Sequence, residues 1–409
     1  MITVAEIRNL FPVLSRKVHG KVLVYFDNAA TSQRPQSVID EWNKITTFSN
    51  GNIHRAVHAL ADEATSAFEN ARDSVKEFLN AGSREEIVFT SGATAAINLV
   101  AFSFGEAFIS QGDEVIISAA EHHSNIVPWQ MMCHRKGAVL KVLPVDDCGY
   151  LVVDELENLI NDKTKLVAVT HISNVLGIIN PIDRIIEISH SNGVPVLIDG
   201  AQGIVHCKVD VQKLDCDFYV FSGHKLYAAT GTGVLYGKRK WLDAMPPYLG
   251  GGEMVGNVSF AETTYAPLPM KFEAGTQNFA SVATLKPAIE LFNLLNNNEL
   301  IRENNSIRDY LLPVFTEDSR INLYGVPRGT NDEKISLFSF TVEGVHHEDL
   351  ALILDKMGIA VRSGQMCAEP LMDRFGVTGM LRISLAPYNT MQEAEYFVKC
   401  LNRAIDMLI

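Results

Sequence analysis

Between residues 85 and 240 the chain repeats one unit: a short run of aliphatic and β-branched residues, a polar or glycine-bearing stop, and an amphipathic stretch. Glu86-Ile87-Val88-Phe89-Thr90 is followed by Ala95 to Phe108 and then by Glu114-Val115-Ile116-Ile117-Ser118. Val139 to Val145, Leu166 to Thr170, Val194 to Ile198 and Asp217 to Phe221 continue the series, with helical periodicity near Val153 to Ile160 and from Ile182 to Ser191. Runs that are apolar throughout belong to strands covered on both faces, and strands that alternate with helices pair in parallel. The pattern predicts an α/β domain on a mostly parallel sheet with helices on both sides. A long helix is expected over Ala61 to Asn80, closed by Gly82.

After residue 292 the pattern changes to a helix, strands at Ile335 to Val342, Ile359 to Arg362 and Leu381 to Ser384, and a terminal helix from Gln392 to Leu408. This reads as a smaller α+β C-terminal domain. The expected division is an N-terminal segment 1–18 packing with the small domain, a large domain 19–292 and a small domain 293–409. No Pro-, Ser- or charge-rich linker separates them, so packed lobes are expected.

The 35 Lys and Arg stand against 48 Asp and Glu, a net charge of −13, which argues against nucleic acid or a membrane surface as partner. Glu6 and Arg8 interrupt the first apolar stretch, so no signal peptide or membrane anchor is expected. Six scattered cysteines in 409 residues suit a reducing, cytoplasmic location better than a disulfide framework.

In open α/β sheets, ligands sit beyond the carboxyl ends of the strands, and the polar residues of this chain cluster there. Ser91-Gly92-Ala93-Thr94 stands between a strand and a helix and suits a phosphate, although Ser and Thr cap most helices anyway. Asp199 ends an apolar strand, where the plain reading is a turn cap. Lys225 follows Ser222-Gly223-His224 and could simply snorkel to solvent. The joint order is more specific. A phosphate loop, a strand-end Asp and, 225 − 199 = 26 residues later, Ser-Gly-His-Lys is what pyridoxal 5'-phosphate (PLP) chemistry requires. The Asp keeps the pyridine nitrogen protonated and the Lys is the Schiff-base lysine.

Longer motifs then carry a resemblance. Asn52-Ile53-His54-Arg55, Glu121-His122-His123-Ser124-Asn125-Ile126-Val127-Pro128-Trp129, Ser173-Asn174-Val175-Leu176-Gly177, Asp199-Gly200-Ala201-Gln202, Ser222-Gly223-His224-Lys225, Phe272-Glu273-Ala274-Gly275-Thr276 and Arg362-Ser363-Gly364-Gln365-Met366-Cys367-Ala368 resemble the SUF/CSD-type (group II) cysteine desulfurases of the class-V aminotransferase family. The resemblance implies PLP fold type I with a mostly parallel seven-stranded sheet, a homodimer, and conversion of L-cysteine to L-alanine. The sulfur would stay as an enzyme persulfide for an acceptor protein, in sulfur trafficking such as iron–sulfur cluster assembly, with selenocysteine as a further substrate. By motif it implies Lys225 as the cofactor lysine, Asp199 as the pyridine partner, Gln202 on the ring hydroxyl and His122 stacked on the ring. Ala93, Thr94, Ser222 and His224 would hold the phosphate, with Thr276 contributed by the other subunit. Asn174 and Arg382 would bind the substrate carboxylate, with Arg362 near the nucleophile, Cys367.

Chemistry supports two of these roles independently. Lys225 can act as the base at the acidified Cα–H, and Cys367, to attack sulfur, must be a thiolate, for which Arg362 is a stabiliser. Gln365-Met366 stands where the family usually has His, and Met366 can neither titrate nor donate a hydrogen bond. Ala93-Thr94-Ala95-Ala96 replaces a Thr-Thr-Glu run, and Tyr227-Ala228-Ala229-Thr230 lacks the usual Gly-Pro. No metal is expected at His54 and His58 or at His346 and His347, and Trp42 and Trp129 read as packing residues. Two other functions stay open: a PLP lyase for selenocysteine, cysteine sulfinate or a kynurenine-like amino acid, which needs no enzyme thiol, and a non-catalytic scaffold that only binds sulfur-transfer partners.

Overall fold

In the computed structural model, which describes residues 3–54, 57–296, 298–329 and 333–409, the apolar runs of the first half form one seven-stranded sheet. Its spatial order is Ile87–Thr90, Gly233–Gly237, Phe218–Ser222, Val196–Asp199, Thr164–Thr170, Glu114–Ser118 and Val139–Leu143. The strands from Phe218–Ser222 to Val139–Leu143 run parallel, whereas Gly233–Gly237 is antiparallel to both its neighbours. No sequence pattern marks that strand, because two glycines bracket only three apolar residues. Gly233 has a packing reason: a Cβ there would sit 2.4 Å from Gly92 Cα, under the loop that opens the helix Ala93–Phe108.

The continuous apolar runs resolve into two cores, one per face. Ile116, Val167, Val169, Val196, Ile198 and Phe221 join one cluster with Phe68, Ile185 and Ile289 of the helices Ala59–Leu79, Ile182–Ser191 and Leu285–Leu295. Their neighbours Val115, Ile117, Leu166, Ala168, Leu197 and Val220 join another with Val100 and Trp129 of the helices Ala93–Phe108 and Val127–Lys136. Successive side chains of a strand point to opposite faces, so a sheet covered on both sides must be apolar at every position. Each fully buried aliphatic side chain contributes about 1.5–3 kcal/mol, which holds the strand ends at fixed positions.

Several expected boundaries move; the strand expected over Val139 to Val145 ends at Leu143, and that over Ile335 to Val342 starts at Leu337. The helix Ala59–Leu79 opens where His58 accepts the Ala61 N–H and closes on Asn80 at φ 52°, not on Gly82. Asparagine tolerates the left-handed region, and Asn80 Nδ2 also donates to Asp210 at 3.0 Å. The single strand expected over Ile359 to Arg362 is two. Ile359–Ala360 pairs in parallel with Val24–Tyr25, and Arg362–Gly364 pairs with Met380–Ser384 in another sheet. The first partner lies over 300 positions away, so no local pattern marks the change.

The small lobe is a four-stranded antiparallel sheet in the order Ile321–Tyr324, Leu337–Val342, Met380–Ser384, Arg362–Gly364. Its core holds Phe315, Phe338, Phe340 and Phe397, and the terminal helix Met391–Leu408 starts at a Thr390/Glu393 capping box. Val24 and Phe26 belong to this core, whereas Val4, Ile7, Phe11 and Leu14 pack in the larger cluster. Arg8 reaches across to Tyr388 O at 2.8 Å and to Glu393 at 2.9 Å, so the N-terminal chain stitches the lobes together. Trp129 is fully buried, but Trp42, expected to pack, is exposed on the helix Gln36–Phe48. Arg55 lies outside the described residues. Among the described residues no helix is long and apolar enough to cross a membrane.

Candidate active site

A cavity of about 200 Å³ opens at the carboxyl ends of the parallel strands, where the small lobe closes over them. Its walls include Ala93, Thr94, His122, Asn174, Asp199, Gln202, Ser222, His224, Lys225, Arg362, Cys367 and Arg382. Thr276 is the one sequence-predicted site residue absent from these walls. It stands exposed after Glu273, whose carboxylate is buried against Arg72 at 2.8 Å and accepts the Phe89 N–H at 2.7 Å.

Asp199 ends its strand opposite Thr170 and Val220, 4% exposed, with the Ala201 N–H donating to Oδ1 at 2.9 Å. Burial raises its carboxyl, against that bond and Lys225. Lys225 follows in the turn Gly223–Lys225; burial lowers its amine to about 8, against the pull of Asp199. Gln202 Nε2 donates to Ala29 O at 2.8 Å, which leaves its buried Oε1 without a partner.

At the other end the helix Ala93–Phe108 has no side-chain cap. The Ala93 N–H donates to Ser222 Oγ at 2.8 Å, Thr94 Oγ1 lies 2.7 Å from Ser124 Oγ, and His224 Nδ1 lies 3.2 Å from Thr31 Oγ1. A helix N-terminus ringed by hydroxyls is an anion site.

His122 accepts the Ser124 N–H at Nδ1, at 3.0 Å, which places its proton on Nε2. Burial lowers its pKa to about 4, with Lys225 acting the same way, so the ring is neutral at neutral pH. Behind it Glu121 is wholly buried and its carboxyl is raised to about 8 by burial. Glu121 accepts the Ser118 hydroxyl, Asn125 Nδ2 at 2.7 Å and the Thr170 N–H at 2.8 Å, and Asn125 in turn accepts Trp129 Nε1 at 2.8 Å. This network joins two strand ends to the turn that carries His122.

The small lobe supplies cations. Arg362 and Arg382 are cross-strand partners, an arrangement that like charges disfavour. Asp27 relieves it, with Oδ1 3.1 Å from Arg382 Nη2 and Oδ2 3.9 Å from Arg362 Nη1. Arg382 Nη1 donates to Asn174 O at 2.7 Å, and its buried Nε has no partner. One carboxylate between two guanidiniums leaves room for a second anion.

Cys367 is exposed at the cavity mouth in an unusual loop. Met366 and Cys367 both adopt the left-handed region, at φ 54° and 55°, at a cost of roughly 1–2 kcal/mol each. Asn174 Nδ2 donates to Met366 O at 2.9 Å, and the His123 N–H donates to Cys367 O at 2.7 Å. Burial pushes the thiols of Cys133 and Cys207 up to about 11 and raises that of Cys216 as well. Cys148 is exposed and Cys400 buried, both off the cavity walls.

Sequence reasoning assigns no role to Asp27, Glu121, His123 or Ser124. Asp27 has a local signal, as the first charge after Val22-Leu23-Val24-Tyr25-Phe26, but its partners lie over 300 positions away.

The aminotransferase class-V family model matches residues 24–397. A probable cysteine desulfurase of Vibrio cholerae is 45% identical over 408 residues, covering 100% of both chains. A cysteine desulfurase of Escherichia coli is 45% identical over 402 residues, covering 98% of each. The crystal structure of the cysteine desulfurase CsdA from Escherichia coli, in an S-sulfonic acid form, superposes with a TM-score of 0.92 at 40% identity over 100% of both chains. The apo cysteine desulfurase of Thermococcus onnurineus also reaches 0.92, at 33% identity, covering 100% of this chain and 99% of that one. With its fold, its cavity and nearly its whole length matched in this way, the chain belongs to the aminotransferase class-V family, in its cysteine desulfurase group.

Proposed function

We propose that this protein is a PLP-dependent cysteine desulfurase that converts L-cysteine to L-alanine and retains the sulfur as a persulfide on Cys367. The observation that carries the reading is one cavity lined by a buried strand-end carboxylate, a lysine of lowered pKa, two facing arginines and an exposed cysteine.

The donor set fits the cofactor. Asp199, desolvated and lightly bonded, suits a protonated ring nitrogen; the unpartnered Gln202 Oε1 suits the ring hydroxyl; the neutral ring of His122 suits stacking. Ala93, Thr94, Ser222 and His224 suit the phosphate. When bound, PLP supplies an electron sink that acidifies the Cα–H of an amino acid and weakens its Cβ–S bond.

Arg382 and Asn174 hold the substrate carboxylate, with Arg362 beside it. Lys225, neutral in an appreciable fraction near pH 8, takes the Cα proton at Nζ. The Cys367 sulfur then attacks the substrate sulfur. An S–S bond forms as the Cβ–S bond breaks, and the electron pair left on Cβ ends, with a proton, as the new C–H bond of alanine. Cysteine and one enzyme thiol thus become alanine and one persulfide. An acceptor thiol protein discharges it, and in a homodimer Thr276, off its own cavity, serves the partner's phosphate.

Alanine release from L-cysteine, with peptide mass mapping after one turnover, tests the reading. One extra sulfur on Cys367 is expected; sulfur on Cys133 or Cys207, or L-cysteine turnover that is undiminished in Cys367→Ser, overturns it.

A further inference from the structure

The strand Glu114–Ser118 is followed by two histidines, of which only His122 lines the cavity. His123 bonds instead to the loop that carries the exposed thiol. Its backbone N–H donates to Cys367 O at 2.7 Å, and its Nε2 accepts the backbone N–H of Glu369 at 3.1 Å. A backbone amide always holds its proton, so Nε2 is the acceptor and the ring proton belongs on Nδ1. Glu369 opens the helix Glu369–Phe375, whose N-cap residue, Ala368, offers no side-chain acceptor. The imidazole is therefore a cap delivered from the large lobe to a helix of the small one. Cys367, at the first of these contacts, is like Met366 left-handed without being glycine. Such a conformation persists only where its surroundings over-determine it.

We propose that His123 is a positioning residue that keeps the Cys367 loop in this left-handed form and so holds the thiol at the cavity mouth. The proposal rests on Cys367 being the sulfur acceptor. His123→Phe keeps a ring and removes the acceptor, whereas His123→Gln puts an amide oxygen near the position of Nε2. In the holoenzyme, three quantities separate the roles: the rate of Cys367 alkylation by iodoacetamide, read by peptide mass mapping; kcat and KM for L-cysteine with excess thiol reductant; and PLP affinity. His123→Phe should lower kcat about fivefold and raise the alkylation rate about as much, with KM and PLP affinity within about twofold of the parent. His123→Gln should restore most of both.

Unchanged alkylation and kcat in His123→Phe overturn the proposal, and so does an equal defect in His123→Gln. A fall in PLP affinity that accounts for the lost rate also overturns it, because His123 would then act through the cofactor. If Cys367→Ser keeps full desulfuration, the sulfur-acceptor reading fails, while the alkylation rates still report on the loop.

Discussion

The two walls of the cavity are built on different principles. On the large lobe, Asp199 and Ser222 end fully buried strands, 4% and 7% exposed, and their spacing follows from sheet register. Their chemistry comes from desolvation, which raises Asp199 and lowers Lys225. On the small lobe, Cys367 is exposed in a left-handed loop whose carbonyls are held by Asn174 and His123. Its chemistry comes from conformation. A substitution on the first wall should therefore change reactivity and leave shape alone, whereas one on the second should change placement and leave the cofactor alone.

The harshest test of that contrast is Lys225→Ala. Alanine formation from L-cysteine should fall by about a thousandfold or more, because on the proposed reading base and covalent anchor go together, while the circular dichroism spectrum stays unchanged. Retained activity would break the comparison at its first wall. Cys367→Ser should come next, with desulfuration down about a hundredfold, PLP titration unchanged and selenocysteine turnover largely kept. A joint loss of PLP affinity would mean that the walls are not separable.

Arg382→Met sharpens the small-lobe side. Losing a charge-assisted bond of about 1.5–3 kcal/mol should raise KM for L-cysteine about ten- to a hundredfold in steady-state assays. A change in kcat alone would instead assign Arg382 to the chemical step. Thr276→Val should weaken PLP affinity by a similar factor. Mixing Thr276→Val with Lys225→Ala chains at limiting PLP should then restore activity, since one of the two sites in a mixed dimer escapes both defects. Verified mixed dimers without recovery would confine Thr276 to its own chain.

The mildest effect is on pH. Lys225 reacts only as the free amine and its pKa lies at about 8, so covalent PLP uptake by the apoprotein should rise about tenfold per unit below pH 8 and level off above it. Stopped-flow absorbance measures this. A plateau beginning only near pH 10 would show that burial does not tune this amine.

Much of the large-lobe wall is legible in the amino-acid order alone. Asp199, Ser222 and Lys225 interrupt apolar runs, and a polar residue at the end of a buried strand is a strong local signal. The strand Gly233–Gly237 is not legible, because its glycine answers to the backbone of Gly92 from another part of the chain. Nor is the Asp27–Arg382 pair, whose members are 355 positions apart.

By itself the amino-acid order determined the alternation of buried strands and helices and the polar residues at their carboxyl ends. Each is written in neighbouring residues, where periodicity and interruption can be read. Only the tertiary structure decided that Arg362 faces Arg382 across a strand pair, that Asp27 stands between them, and that a histidine of the large lobe caps the helix after Cys367. Those contacts join residues brought together by chain folding, and hydrogen-bonding partners at such separations leave no periodic trace in either segment.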